Sequence, residues 1–298
     1  MRSISTIHVS LVARYALLGF AAAALVGCGD DESKDSSIYR NVEIQFDLRV
    51  NGAPFECGAR YPSVGSPPTE FSISDARLYL HNFELMDGSG ETSPVELEEN
   101  AFQSDGLALL DFEDGCGSDG TPETHTTVSG RVVVPSTGSA DAWSEVRFSL
   151  GVPDRKNFVD LASAAPPLDV TGMFWIWQYG YKFLKVDGAA SSLDGAIHSF
   201  ILHVGASGCP GDKPQRPPTG ACERPNRASY RLPLRSGKIG LDLGELFATS
   251  DLSFNTEGTA PGCMSEPDDP ECSELLPRLG IAESTESDAK EQALFKAE

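Results

Sequence analysis

Hydrophobic and polar residues alternate with period two over most of the apolar segments of this chain, and Gly, Pro, Asn and Asp cluster between them. Successive side chains of a strand point to opposite faces, so this pattern predicts half-buried strands rather than helices. It predicts strands over residues 42–50, 76–85, 107–112, 128–134, 145–150, 173–186, 198–205 and 229–234, with Asn51-Gly52 supplying a tight turn after the first. Only residues 160–165 and 241–249 carry a helical period, as short helices. The expected fold is all-β, mainly antiparallel and sandwich- or barrel-like, in a single domain with long disulfide-stapled loops. The 29 Gly and 20 Pro suit many turns, and neither an internal repeat nor a composition break marks a second domain.

One predicted strand differs from the others. At period two, residues 173–183 place Met173, Trp175, Trp177, Tyr179, Tyr181 and Phe183 on one face, and Phe174, Ile176, Gln178, Gly180 and Lys182 on the other. Two of the three Trp of the chain thus share one side of one strand. The bland reading is a core strand, because aromatic residues favour sheets and dominate cores. The sharper reading is a site in which electron-rich rings stack a ligand or are oxidised.

The ends have their own chemistry. Arg2 and Arg14 precede an apolar run over residues 15–26 that ends in Leu25-Val26-Gly27-Cys28. An apolar residue and a small residue before Cys form a bacterial lipoprotein signal, so residues 1–28 are expected to be a signal peptide with Cys28 as the lipid anchor. An ordinary secretory signal that happens to hold a Cys is the alternative. Residues 29–38 read as a flexible tether, 39–282 as the β domain and 283–298 as a charged tail or frayed helix. The run is too short to be a stable span, so membrane contact is expected through the lipid only. Removing residues 1–28 takes away two Arg and no acid, which moves the net charge from −21 to −23. A body this acidic does not suit nucleic acid or an anionic lipid surface, whereas metal ions and basic proteins are favoured.

Six Cys remain after Cys28: Cys57, Cys116, Cys209, Cys222, Cys263 and Cys272. An even number in an exported chain predicts three disulfides. Short loops favour Cys209–Cys222 and Cys263–Cys272 and leave Cys57–Cys116, although six Cys permit fifteen pairings. The spacing Cys-x-x-Cys is absent, which argues against a thiolate zinc site or a redox motif. Gly-x-Ser-x-Gly, P-loop and dinucleotide signatures are absent too. With 44 acidic residues, chance carboxylate neighbours are unavoidable, and residues 111–119 lack the spacing of an EF-hand loop, so a solvated loop is expected there. Histidine is scarce: besides His8 in the signal there are His81, His125, His198 and His203. His81 shares its strand face with Tyr79 and Phe83, His203 faces away from His198, and His125 stands in a Thr-rich loop. Two or three His with a soft or aromatic partner would suit copper, but a lone strand His is more often a hydrogen-bonded core residue.

Ordered matches along residues 42–281 resemble the MbnP-type periplasmic proteins, the four-Cys members of a "metallo-mystery pair". They are Val50-Asn51-Gly52, Cys57-Gly58, Tyr61, Ala76-Arg77-Leu78-Tyr79, Ala108-Leu109-Leu110-Asp111-Phe112-Glu113, Gly151-Val152-Pro153 with Asn157, and Pro167-Leu168. The most specific are residues 173–183, His203-Val204-Gly205 with Gly208-Cys209, Cys222 with Pro225-Asn226, and Cys263-Met264 with Cys272. The resemblance implies a partner, a MauG-type diheme cytochrome peroxidase that oxidises a Trp of this protein to kynurenine, and a copper site that uses the product. The heme partner would carry the hard chemistry, so this chain is not expected to be an enzyme. The Trp candidates are Trp175 and Trp177, and the expected metal residues are His203, His81, Trp177 and Trp175. In the family pattern the Asn after Gly-Val-Pro is commonly followed by His. Here Asn157 precedes Phe158, so a ligand there is lost or its role passes to His81. The expected function is copper acquisition or storage by a lipoprotein of the bacterial cell envelope, facing the periplasm or the surface. The alternatives are a non-metal β-sandwich binding or adhesion lipoprotein, and a redox substrate of the heme partner without copper of its own.

Overall fold

The alternating segments become strands of a computed structural model that describes residues 38–117, 123–134, 143–192, 195–266, 268–281 and 292–298. The expected signal peptide with Cys28, the tether up to residue 37 and residues 283–291 of the expected tail lie outside the described residues. In chain order the strands are β1 (Ile38–Val50), β2 (Ala53–Pro54), β3 (Arg60–Val64), β4 (Thr69–Asp87), β5 (Thr92–Leu97), β6 (Gln103–Ser104), β7 (Leu107–Asp111) and β8 (Thr127–Val134). They continue with β9 (Trp143–Leu150), β10 (Leu184–Ser191), β11 (Ile197–Val204), β12 (Ser229–Pro233), β13 (Lys238–Asp242), β14 (Gly262–Cys263) and β15 (Phe295–Ala297). The helices are short: α1 (Asp154–Asn157), α2 (Leu243–Phe247) and α3 (Cys272–Arg278). No helix among the described residues is long and apolar enough to cross a membrane.

The 19-residue strand β4 organises the sheet. Its first part pairs with β3 and β10, its middle with β7, and its end with β9 and β5. From β10 the sheet continues through β11 to β14, and from β9 to β12. Strand β5 also pairs with β8, and the order runs on through β1 and β13 to β15. The sheet thereby curls into a half-barrel. Every pairing of these strands is antiparallel except β1 with β13 and β11 with β14, so the expected mainly antiparallel all-β class is the one observed. Phe46, Phe83, Phe148, Tyr230 and Phe295 fill one part of the core, with Phe148 5.1 Å from Phe295 and 5.7 Å from Phe46 between ring centroids. Phe71, Phe200 and Phe247 fill another. Edge-to-face arrangements of this kind add to the burial of the rings.

The cysteines pair as Cys57–Cys116, Cys209–Cys222 and Cys263–Cys272, the pairing favoured by loop length. Three expectations need correction. Residues 173–183 are not a strand: a 3-10 turn covers Thr171–Met173, a tight turn follows, and extended structure resumes at Leu184 in β10. The expected helix over 241–249 starts only at Leu243, because the residues before it form β13 in parallel register with β1. The end of the expected tail is neither frayed nor helical. Leu294 and Phe295 are 0% and 2% exposed, and β15 closes the sheet on β13. Two apolar side chains among charges suffice to dock it, since burying each contributes about 1.5–3 kcal/mol.

Candidate metal centre

The central strands present an apolar face and a charged one. In the segment from Asp75 to His81, Ala76, Leu78 and Leu80 alternate with Asp75, Arg77, Tyr79 and His81. Cross-strand register aligns Asp111 of β7, Arg77 of β4, Lys185 of β10 and His203 of β11 in one row, and Asp75 and Asp187 in the next. Residues opposite one another in register share a face, so six ionisable groups tile one patch of the sheet. Five of them are buried, and Asp187 is partly exposed. Arg77 and Asp75 form a two-pronged ion pair, and Lys185 Nζ donates to Asp75 Oδ2 at 2.6 Å and lies 3.3 Å from Asp187 Oδ2. Burial works against the Lys185 ammonium, but Asp75 and Asp187 outweigh it and raise its pKa. Burial also pushes the Asp111 carboxyl up to about 7, against the pull of Arg77.

His203 ends the first row. Its Nε2 lies 2.5 Å from Asp187 Oδ1. Burial lowers the imidazole pKa by more than the Asp187 carboxylate raises it, which favours the neutral ring. For Asp187, burial is overcome by the hydrogen bond from His203 and the charges beside it, and its pKa falls. The other ring nitrogen, Nδ1, is buried and meets no hydrogen-bond partner among the described residues. Ser265 Oγ donates to the His203 carbonyl at 2.8 Å and accepts from Gly205 N at 2.9 Å, so the segment after Cys263 holds the His203 backbone. Asn226 Nδ2 donates to Gly205 O at 2.8 Å from the other side.

Trp175 stands beside His203, with ring centroids 6.3 Å apart. Its indole Nε1 is also buried without a partner among the described residues. The loop that carries it is built by local hydrogen bonds. Tyr179 N and Gly180 N both reach Ile176 O, at 3.0 and 2.8 Å, and Trp175 N reaches Gly180 O at 3.1 Å. Gly180 has φ of +75°, where a Cβ would lie 2.3 Å from Asn157 O, so only glycine makes the turn against that backbone. Asn157 Oδ1 accepts from Tyr181 N at 3.0 Å, and Gln178 Nε2 donates to Cys209 O at 3.0 Å, which ties the loop to the Cys209–Cys222 disulfide. Because the segment turns, Trp175 and Trp177 do not share a strand face. Trp177 points its Nε1 to Phe158 O at 2.8 Å and is satisfied.

His81 sits elsewhere. His203 is level with Arg77 through Lys185, and His81 lies four residues farther along β4, a separation of about 13 Å along the strand alone. Its Nδ1 bonds to Gly151 O at 2.8 Å, and burial lowers its pKa. The structure therefore brings His203 and Trp175 together, and holds His81 and Trp177 apart from them by hydrogen bonds to the Gly151 and Phe158 carbonyls. His125, in its Thr-rich segment, is half-buried, stacked on Phe102 at 4.8 Å with Nδ1 bonded to Leu109 O. His198 is exposed. Three metal-ligating donors come together among the described residues only at Cys57, Glu113 and Cys116, where the two sulfurs form the disulfide. Sequence reasoning missed Asp187, Lys185 and Asp75. Their period-two spacing was visible, but their convergence on His203 depends on register between distant strands.

The residues that define this centre fall within a match to known proteins. The profile of the MbnP family matches residues 39–265. The solved structure of MbnP from Methylosinus trichosporium superposes with a TM-score of 0.71 at 30% identity, over 86% of this chain and 94% of that one. No curated protein matches the sequence. The convergence of His203, Gly205, Asn226 and the aromatic loop thus accompanies a relation that spans nearly the whole described chain, and the chain belongs to the MbnP family.

Proposed function

We propose that this protein binds copper in the bacterial cell envelope and that its ligand set is completed by oxidation of Trp175 to kynurenine. One observation carries the reading: the His203 ring, whose buried Nδ1 has no partner among the described residues, lies 6.3 Å from the ring of Trp175, whose buried Nε1 also has none. Leaving buried polar atoms unpaired costs about 1–3 kcal/mol each, and a ligand bound between the two neighbouring rings would recover that cost. The donor types fit. Imidazole suits copper, and copper(I) takes soft and nitrogen donors. Indole nitrogen is a poor ligand, whereas kynurenine offers an arylamine and a ketone.

The oxidation needs a second protein. A MauG-type diheme peroxidase would use two equivalents of peroxide, reduced to water, to place two oxygens across the indole C2–C3 bond and break it. Hydrolysis of the resulting formamide releases formate and leaves the amine. His203 and modified Trp175 would hold the metal, while Trp177, two residues along the same loop with its Nε1 bonded to Phe158 O at 2.8 Å, lies outside the ligand set. In this reading the protein is a copper carrier or store and not an enzyme. Cys28 would anchor it by lipid, and the acidic body favours basic surfaces and cations.

Copper stoichiometry after co-expression with the heme partner tests the reading. Wild type should hold copper, and His203→Ala should hold almost none while melting nearly as wild type does. Full occupancy in His203→Ala would reject the site. The anchor is tested separately, since wild type that partitions into the aqueous phase of a detergent extraction carries no lipid.

A further inference from the structure

We propose that Asp187 is a positioning residue: it accepts a hydrogen bond from His203 Nε2–H, locks the imidazole in that tautomer, and keeps the Nδ1 lone pair for the metal. The inference rests on the copper reading above and adds to it a residue that the aromatic loop does not contain. A neutral imidazole has one donor and one acceptor nitrogen, and an ionised carboxylate only accepts. With Asp187 Oδ1 2.5 Å from Nε2, Nε2 carries the hydrogen and Nδ1 the lone pair. That lone pair is buried and meets no donor among the described residues.

The carboxylate is itself held in place. Lys185 Nζ lies 3.3 Å from Asp187 Oδ2 and donates to Asp75 Oδ2 at 2.6 Å, and Asp75 is clamped by Arg77. The register of β4, β10 and β11 stacks these groups side by side, so the imidazole is oriented by the sheet and not by the mobile end of one long side chain. A ligating histidine commonly donates its second N–H to a carboxylate, which fixes the ring and raises its basicity. The pair also places a negative charge behind the imidazole, which favours a cation in front of it.

Long-range proton–nitrogen correlation spectra of unmodified, copper-free protein with labelled histidine read the tautomer directly. Wild-type His203 should show the Nε2–H pattern, and in Asp187→Asn the Nδ1–H form should become populated. Copper affinity of matured Asp187→Asn should fall by about 10–100-fold with little change in melting, and Asp187→Glu should restore part of it. A wild-type Nδ1–H tautomer overturns the proposal, as does Asp187→Asn with both tautomer and copper affinity unchanged. If wild type takes no copper at all, the copper function falls, and the tautomer spectrum alone then decides for or against the role of Asp187.

Discussion

The indole of Trp175 lies directly on the backbone of Gly205, so closely that a Cβ at position 205 would stand 2.5 Å from Cζ3 and 3.1 Å from Cη2 of the ring. The Tyr181 carbonyl would be 2.8 Å away on the same side. Gly205 is two residues from His203, so this contact sets the distance between the two groups of the candidate centre. Gly205→Ala should displace Trp175 and cost about 1–3 kcal/mol, the usual penalty for overpacking. Denaturant midpoint and tryptophan emission report the two effects. An alanine variant with both unchanged would show that the indole does not rest there.

The charge lattice behind His203 makes a stability prediction. Asp75 is 1% exposed and faces the cations Arg77 and Lys185, themselves buried. Removing one member of a buried ion pair leaves charge uncompensated and costs about 3–5 kcal/mol. Asp75→Ala should lose that much in urea unfolding, whereas exposed Arg60→Ala, which breaks a surface pair with Glu70, should lose at most about 1 kcal/mol. Similar losses in the two variants would contradict the buried lattice.

Asp111 gives the lattice a pH dependence. Its carboxyl is pushed from an ordinary 3.8 up to about 7, by burial first and against the pull of Arg77. The folded protein therefore binds this proton more tightly than the unfolded chain does. The contribution is fully present below about pH 4 and is lost as pH rises to about 7. Asp111→Asn cannot ionise and should lack this loss. Stability of the variant relative to wild type should therefore climb between those two pH values and level off above the upper one. A flat or falling difference, measured by thermal melts across that range, would contradict the shift.

The Cys209–Cys222 bridge spans 13 residues and supports the aromatic loop through Gln178. Replacing both cysteines by alanine should cost about 3 kcal/mol by the chain-entropy estimate. It should also loosen the turn around Trp175, seen as faster hydrogen exchange at Gly180 and Tyr181. Alkylation of native mature protein should trap no thiol at any of the six cysteines. A free thiol there would remove the rigid frame assigned to the site.

Much of the fold was legible because one face of most strands is apolar, and alternation at positions such as Ala76, Leu78 and Leu80 directly reports that face. The aromatic segment mimics a strand for the same reason. Trp175, Trp177 and Tyr179 alternate as a strand would, and nothing in the period shows that Gly180 adopts a left-handed conformation against Asn157. The pairing of His203 with Trp175 was half-visible, since both stood out by residue type. Asp187 was not, because its partner lies across a strand pair and the sequence carries no register. His81 was attractive by its aromatic face, yet the long reach of β4 carries it away from His203.

The central claim is that Trp175, and not Trp177, becomes part of a copper site with His203. A peptide mass map of protein made with and without the heme partner tests it most directly. The account predicts that the peptide containing both Trp loses one carbon and gains one oxygen only when the partner is present, with fragment ions placing the change at Trp175, and that Trp175→Phe abolishes the change while Trp177→Phe leaves a modifiable residue. An unmodified Trp175 in protein that nevertheless carries copper, or a change confined to Trp177, would contradict it.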